Sequence, residues 1–427
     1  LISFDEGDNN KLQMLRLTAD STLMGDGYVK HGVHHKLGAA KTGSGKTVYE
    51  AAEILELFPL GFNFYITEVG RGFEWVVEMF GGDYFVLDAE TTVVSPFPDY
   101  SYDFKLASEG CEENEDREEH ILPAHLVGPT IVSIMPILMG SSDYESHSNI
   151  EHYKSAAEDI LQILYIDEFH AEDVSGPTLE TFLIVGTEII EVFDSENKKN
   201  AALEMLDNLS SFLSRAEGKI FKKSSTIDFS KPIIGIDFSM LLEGENNDLA
   251  KYMLTFISVR FKQQAFLSPN QTFYKSDEYH EFTAIDKTLM DKVERQMTRR
   301  GRKKAAFFNP ISQELSDMDS SGFNQYTHKN LMYYGTDFKN IIEDLKLSPM
   351  ASEIWESYID PIENDLNYRQ CLRVKGERFW DLFLTWPQVI SDLTNSNPDA
   401  IALKESINTK TDNVFKKLEL FREGIGK

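Results

Sequence analysis

Eight consecutive residues, Ala40 to Thr47 (AKTGSGKT), have the types and spacing that bind phosphate. In the pattern G-x-x-x-x-G-K-[ST], glycines let backbone N–H groups wrap an anion, the lysine reaches the β- and γ-phosphates, and the hydroxyl meets Mg²⁺. Here Gly43 and Gly45 free the backbone, Lys46 is the cation and Thr47 the hydroxyl. Ala40 stands where the pattern has its first glycine, and Lys41, Thr42 and Ser44 fill the variable positions. Such a loop needs a helix docked behind it. VYEAAEILELF (48–58) is an uninterrupted helical stretch stopped by Pro59.

Hydrolysis needs a second half-site. A carboxylate closing a neighbouring strand holds Mg²⁺ through water, and a glutamate beside it polarises the attacking water. Two stretches compete. In ILQILYIDEFH (160–170) a long apolar run leads to Asp167-Glu168; in TFYKSDEYH (272–280) a poorer strand, broken by Lys275 and Ser276, leads to Asp277-Glu278. The residues before Asp167 put Ala156, Ile160, Ile163 and Leu164 at helical spacing, and an Asp-Glu at a helix end is ordinarily solvated charge. Asp277-Glu278 follows a strand–helix unit and precedes a helix and a strand ending in Ser312-Gln313, where a polar side chain can sense the γ-phosphate. The expectation is therefore Thr47 and Asp277 on Mg²⁺, Glu278 on water and Gln313 on the γ-phosphate of ATP.

Positioning these groups takes a parallel sheet. GFNFYITEVG (61–70) reads as an apolar strand ending in Glu68, followed by a short helix over 72–80, Gly81-Gly82 and the strand YFVLD (84–88). The sheet resumes at KPIIGIDF (231–238), a helix covers 248–266, and a long polar helix ends in RRGRKK (299–304) before AAFFNPISQELSD (305–317), a strand running into a loop. This alternation predicts an α/β fold with a mainly parallel sheet flanked by helices. Residues 121–217 read as mostly helical, an insertion. Before them, 99–120 holds nine Asp/Glu against two Lys/Arg and reads as a solvated acidic loop. The expected division is a core in two parts, 1–98 and 219–427, around an acidic loop and helical subdomain, 99–218. After KNLMYYG (329–335) come a helix pair around 337–358, strands at 370–374 and 379–384, and an amphipathic helix over 412–422. His31, His34 and His35 have no acidic or cysteine partner at ligand spacing and read as part of the strand before the loop rather than as a metal site.

With 427 residues, 41% of them apolar, the chain can bury a large core in about two domains. No run approaches the ~20 apolar residues that cross a bilayer, so a soluble or peripheral protein is expected. Leu1 in place of Met suggests a piece of a longer chain. Cys111 and Cys371 form neither a disulfide framework nor a zinc spacing, which fits a reducing cytoplasm. The formal net charge of −28 argues against tight duplex binding, because phosphate-backbone binders carry a basic stripe.

In this order the pieces resemble the type IV secretion and conjugative-transfer ATPases of the VirB/TraC type, over roughly residues 25–425. AKTGSGKT is similar to their first motif. Glu68 and Arg71 stand where the family has Asp and a basic residue, and SPF (95–97) resembles its Asn-Pro-Phe. RAEGKIFKKSSTIDFSKPIIGIDF (215–238) resembles the stretch before the acidic motif, MTRRGRKK (297–304) the end of the family's long helix, and ISQELSD (311–317) its Thr-Gln-Ser plus Asp. The resemblance implies a RecA-like P-loop NTPase core that uses ATP and Mg²⁺ and carries an inserted helical subdomain. It further implies a hexameric ring in which a neighbour supplies an arginine, for which Arg299, Arg300 and Arg302 are the candidates. Its expected place is the cytoplasmic face of the inner membrane, among the other components of a secretion or conjugation machine.

Three other readings stand beside this one. A DNA-pumping motor of the same superfamily would be stimulated by DNA. Lys41 also occupies the second position seen in the loops of dimeric partitioning-type switch ATPases, although those want Gly at Thr42 and lack the helical insertion. The irregular strand before Asp277 admits a nucleotide-binding scaffold with little turnover.

Overall fold

A computed structural model describes residues 4–5, 11–17, 23–29, 35–88, 92–97, 124–141, 144–167, 177–223, 225–243, 247–313, 315, 318, 320–335 and 339–425. The chain falls into two compact units: 1–86, 231–239 and 268–427 form the first, and 87–230 with 240–267 the second.

Strands β1 (Phe4–Asp5), β2 (Lys11–Leu17) and β3 (Leu23–Val29) pair antiparallel in a small sheet of their own. Next come β4 (Lys36–Ala39), helix α1 (Lys46–Leu57), β5 (Asn63–Glu68), α2 (Glu74–Met79) and β6 (Asp83–Val86). The chain then builds α3 (Ala124–Leu138), α4 (Ile150–Asp167), α5 (Leu179–Ile189) and α6 (Glu196–Ser214) of the second unit. It returns for β7 (Ile233–Asp237), leaves again for α7 (Asn247–Leu267), and comes back for β8 (Thr272–Asp277), α8 (Tyr279–Arg300) and β9 (Ala306–Ser312). The last segment holds β10 (His328–Met332), α9 (Lys339–Leu345), α10 (Pro349–Glu356), β11 (Arg369–Lys375) and β12 (Arg378–Leu384). Three helices end it: α11 (Gln388–Thr394), α12 (Pro398–Asn408) and α13 (Val414–Ile425).

The large sheet has nine strands in the order β12-β11-β10-β4-β9-β8-β5-β7-β6. From β10 to β6 every pairing is parallel, and β11 and β12 close one edge antiparallel. This is the helix-flanked α/β sheet that the alternating pattern predicts. Strands β4, β5, β7, β8 and β9 are buried along their whole length, as strands covered on both faces must be. One face is filled by Ile54, Phe64, Phe73, Trp75, Phe273 and Phe421, so α1, α2 and α13 share one apolar core with the sheet.

The polar residues that break β8 and β9 are also accounted for. Lys275 of β8 is fully buried and forms ion pairs with Glu50 and Glu53 of α1, the latter at 2.8 Å. Lys36 of β4 pairs with the same Glu53, and Asn309 of β9 donates to Glu50 Oε2 at 2.7 Å. Burying a charge is tolerable only with a partner and hydrogen bonds. Two lysines and two glutamates supply that here, and they tie the helix behind the loop to three strands. Ser276 hydrogen-bonds Thr67 of β5 at 3.1 Å. Pro310 costs the ladder little, because β9 pairs with β4 only from Ile311 onward.

The second unit is helical, as expected, but wider than the stretch 99–218. It also takes in 87–98, 219–230 and 240–267, because aromatic rings fix α7 there. Phe212 meets Tyr252, Phe221 meets Phe256 and Phe229 meets Phe261, with ring centroids 5.1, 5.3 and 6.0 Å apart. The acidic stretch 99–120 lies outside the described residues. Among the described residues no helix is long and apolar enough to cross a membrane.

Candidate nucleotide site

The loop leaves the carboxyl end of β4 and is strapped to both neighbouring strands. The Ala40 N–H donates to Ser312 O at 3.2 Å and the Lys41 N–H to Tyr333 O at 2.9 Å. Ala40 is not among the residues with positive φ, so its methyl group is accepted where the pattern prefers glycine. The left-handed conformation falls instead on Gly43 and Gly45, at φ 78° and 94°. Ser44 closes the turn by donating its hydroxyl to Lys41 O at 2.6 Å. Among the described residues no protein acceptor takes the N–H groups of Gly43, Gly45, Lys46 and Thr47. These donors point from the start of α1, where the helix dipole favours an anion. The backbone therefore fits a polyphosphate.

The carboxylates arrive from the adjoining strands. β9 lies between β4 and β8, and parallel strands present their carboxyl ends at one edge. Asp277 closes β8, Glu278 follows it, and Gln313 comes just after β9. Lys46 Nζ is ion-paired with Glu278 and lies 3.4 Å from Asp277 Oδ1. The Thr47 hydroxyl is 3.3 Å from Asp277 Oδ2. Gln313 Nε2 donates to both Glu278 oxygens, at 2.9 and 2.8 Å, while its Oε1 accepts from the Thr42 hydroxyl at 2.7 Å. Lys46, Thr47, Asp277, Glu278 and Gln313 thus form one contiguous set. A hydroxyl beside a buried carboxylate is a donor set suited to Mg²⁺.

Electrostatics bear on the protonation states. Burial pulls the Lys46 pKa down, but Asp277 and Glu278 outweigh it and hold the ammonium above its ordinary value. Burial raises the Asp277 carboxyl, and Glu278 adds to this against the opposing pull of Lys46. Glu278 is in the left-handed region at φ 55°, ψ 45°, a strained place for a non-glycine residue. The turn is held by its N–H, which donates to Asp277 Oδ1 at 3.0 Å.

A second acidic pair backs this set. Glu68 ends β5 and stands opposite Asp237 of β7. It accepts from Gly72 N at 2.6 Å, Phe73 N at 2.9 Å and Tyr84 Oη at 2.6 Å. Those donors favour the ionised form, yet burial first and Asp237 second push its pKa up to about 8. Arg71 pairs with Glu74 at 2.9 Å and Glu405 at 2.5 Å.

Other expected residues lie elsewhere. Arg299, Arg300 and Arg302 are exposed at the end of α8, just before β9 begins. They occupy the edge of the sheet opposite the loop. Asp167 ends helix α4 rather than a strand, and Glu168 lies outside the described residues. Lys41 places its ammonium 5.5 Å from the centre of the Tyr334 ring. His35 Nδ1 accepts the Phe308 N–H at 3.1 Å; His31 and His34, like Glu314, Ser316 and Asp317, lie outside the described residues.

The sequence reading missed the far wall. A cavity of about 730 Å³ opens over the loop, and much of its lining comes from residues 362–397, including Arg369 and Trp386. The hairpin itself was legible as two strands. Because β11 runs antiparallel to β10, it starts at the loop's edge of the sheet, and that start is Arg369.

No protein-family model matches the chain, and no curated protein sequence does. Among solved structures it is similar to VirB4 of Thermoanaerobacter pseudethanolicus, at 15% identity and a TM-score of 0.58, over 90% of this chain and 99% of that one. Looser likenesses, both with a TM-score of 0.46, are to the plasmid coupling protein TrwB. They are its complex with the non-hydrolysable GTP analogue GDPNP (9% identity, 82% and 85% of the two chains) and its complex with ADP and Mg²⁺ (10%, 86% and 87%). The resemblance read from the motifs is matched at the level of the backbone: this chain has the fold of VirB4.

Proposed function

We propose that the chain is a Mg²⁺-dependent ATPase that energises a type IV secretion or conjugation machine. The observation that carries this reading is the convergence of Lys46, Thr47, Asp277, Glu278 and Gln313 on one edge of the sheet, around loop amides with no protein acceptor. Lys46 and the loop N–H groups would neutralise the charge on the phosphates. Lys46 and Gln313 both engage Glu278. A γ-phosphate offers both of them a stronger anion, which frees Glu278 to polarise the attacking water. Thr47 and Asp277 would hold Mg²⁺, which would supply charge neutralisation at the phosphates.

The remaining assignments come from the family resemblance. They are a hexameric ring at the cytoplasmic face of the inner membrane, other machine components as partners, and an arginine supplied in trans from among Arg299, Arg300 and Arg302. Their distance from the chain's own loop suits a neighbour's site. The charge of −28 favours a protein-handling motor over a DNA pump.

The test is ATP hydrolysis by the wild type beside Lys46→Ala and Glu278→Gln, with and without DNA. Turnover by the wild type alone is expected. Equal background rates in all three proteins would reduce the chain to a scaffold, and stimulation several-fold by DNA would reassign it as a DNA motor. Sedimentation with and without nucleotide separates a ring from a nucleotide-dependent dimer.

A further inference from the structure

The cavity over the loop has two cationic side chains among its lining residues, Lys46 and Arg369. Lys46 is already held by Glu278 and Asp277. Arg369 is differently placed. It opens β11 at the loop's edge of the sheet, and its stem lies directly over Gly45: a methyl group added to Gly45 would come 2.9 Å from Arg369 Cγ and 3.4 Å from the Trp386 ring. Its Nη1 donates to Leu366 O at 2.8 Å and Tyr368 O at 3.0 Å, which fixes the guanidinium. Its Nε and Nη2 donors have no protein partner among the described residues, and no carboxylate pairs with it. A guanidinium held this way, half-buried and without a counter-charge, suits an anionic ligand that brings its own oxygens.

We propose that Arg369 is a phosphate-binding residue of this site, supplied in cis by the C-terminal hairpin and contacting the polyphosphate of a nucleoside di- or triphosphate over Gly45. The proposal rests on the nucleotide reading above. It adds a cation that belongs to no phosphate-loop pattern, contributed by a strand more than 300 residues further along the chain. The Arg369 stem and Trp386 would then form the roof of the cavity, and Gly45 must be glycine partly because that roof is so close.

The experiment measures Mg·ATP and Mg·ADP binding by the wild type, Arg369→Gln, Arg369→Lys and Lys46→Ala, with melting temperatures as the check on folding. Arg369→Gln keeps an amide that can reach the two carbonyls but loses the charge, and it should weaken both nucleotides by ~10-fold or more, the scale of a charged hydrogen bond. Arg369→Lys should recover most of that loss. In parallel, phenylglyoxal labelling of the wild type should modify Arg369 freely, and Mg·ADP but not adenosine should protect it. Wild-type affinity in Arg369→Gln, no recovery in Arg369→Lys, or labelling unaffected by Mg·ADP would each overturn the assignment. If Lys46→Ala loses binding while Arg369→Gln keeps it, only the role of Arg369 falls. If the wild type binds neither nucleotide, the nucleotide reading falls and takes this proposal with it.

Discussion

Replacing Lys275 with methionine tests whether the buried charges behind the loop are a neutral unit. The side chain is fully buried, as is Glu53, and Glu50 is 2% exposed. Among the described residues the ion pairs of this network join two positive and two negative groups, with Asn309 also donating to Glu50. Methionine fills the lysine stem's volume but leaves Lys36 alone to balance two carboxylates. Breaking a buried ion pair from one side costs about 3–5 kcal/mol, because the remaining charge is stranded. Adding Glu50→Gln should recover more than half of that, since it restores neutrality and keeps an oxygen for Asn309. Equilibrium urea unfolding of the wild type, the single variant and the double variant provides the comparison. A single variant within ~1 kcal/mol of wild type, or a double variant no more stable than the single, would refute the reasoning. Lys275 is two residues before Asp277, so the single variant should lose ATP turnover as well.

Other perturbations have clear signs. Glu68, with an ordinary pKa of 4.5 held at about 8, binds a proton more tightly folded than unfolded, so its contribution is complete below 4.5 and is lost as pH rises through about 8. That loss is on the order of 5 kcal/mol across the window. Asp237→Asn removes the facing charge and should flatten the fall in stability between pH 5 and 8 measured by urea titration; an unchanged slope would exclude Asp237 as a cause. Gly45→Ala should abolish binding of a fluorescent ATP analogue, because φ 94° and the 2.9 Å approach of Arg369 both oppose a side chain there. Alanine at Arg299, Arg300 and Arg302 in turn should leave folding intact, these residues being exposed, and lower turnover at one position or more under assembling conditions. Unchanged turnover in all three would remove the arginine supplied in trans.

Much of the fold was legible because its signals are local. The loop, the helix after it and the apolar strands at 63–68 and 233–237 follow from spacing and period alone; the apolar run favoured Asp167, and only the order of elements around Asp277 pointed to the pair that the structure puts at a strand end. Lys275 looked like a flaw because its partners, Glu50 and Glu53, are more than 200 residues away. Periodicity describes one element at a time and cannot pair charges across a sheet. The same blindness hid Arg369, whose relation to Gly45 exists only once β11 is set antiparallel at the edge. The helix α7 belongs to the second compact unit for a related reason. Its sequence follows a core strand, but its rings are spoken for by Phe212, Phe221 and Phe229.

The place of β4 in the sheet also bears on how the chain is made. Its two neighbours are β9 and β10, both encoded far downstream. Roughly 270 residues must emerge after Lys36 before either can pair with it, a delay of ~15–50 s at ordinary translation rates. Through that interval the strand that carries the phosphate loop has open edges, while the helices of the second unit can already assemble from consecutive sequence. The loop would therefore be among the last parts to take shape during synthesis, and a nascent chain halted before β9 would have no means of holding nucleotide.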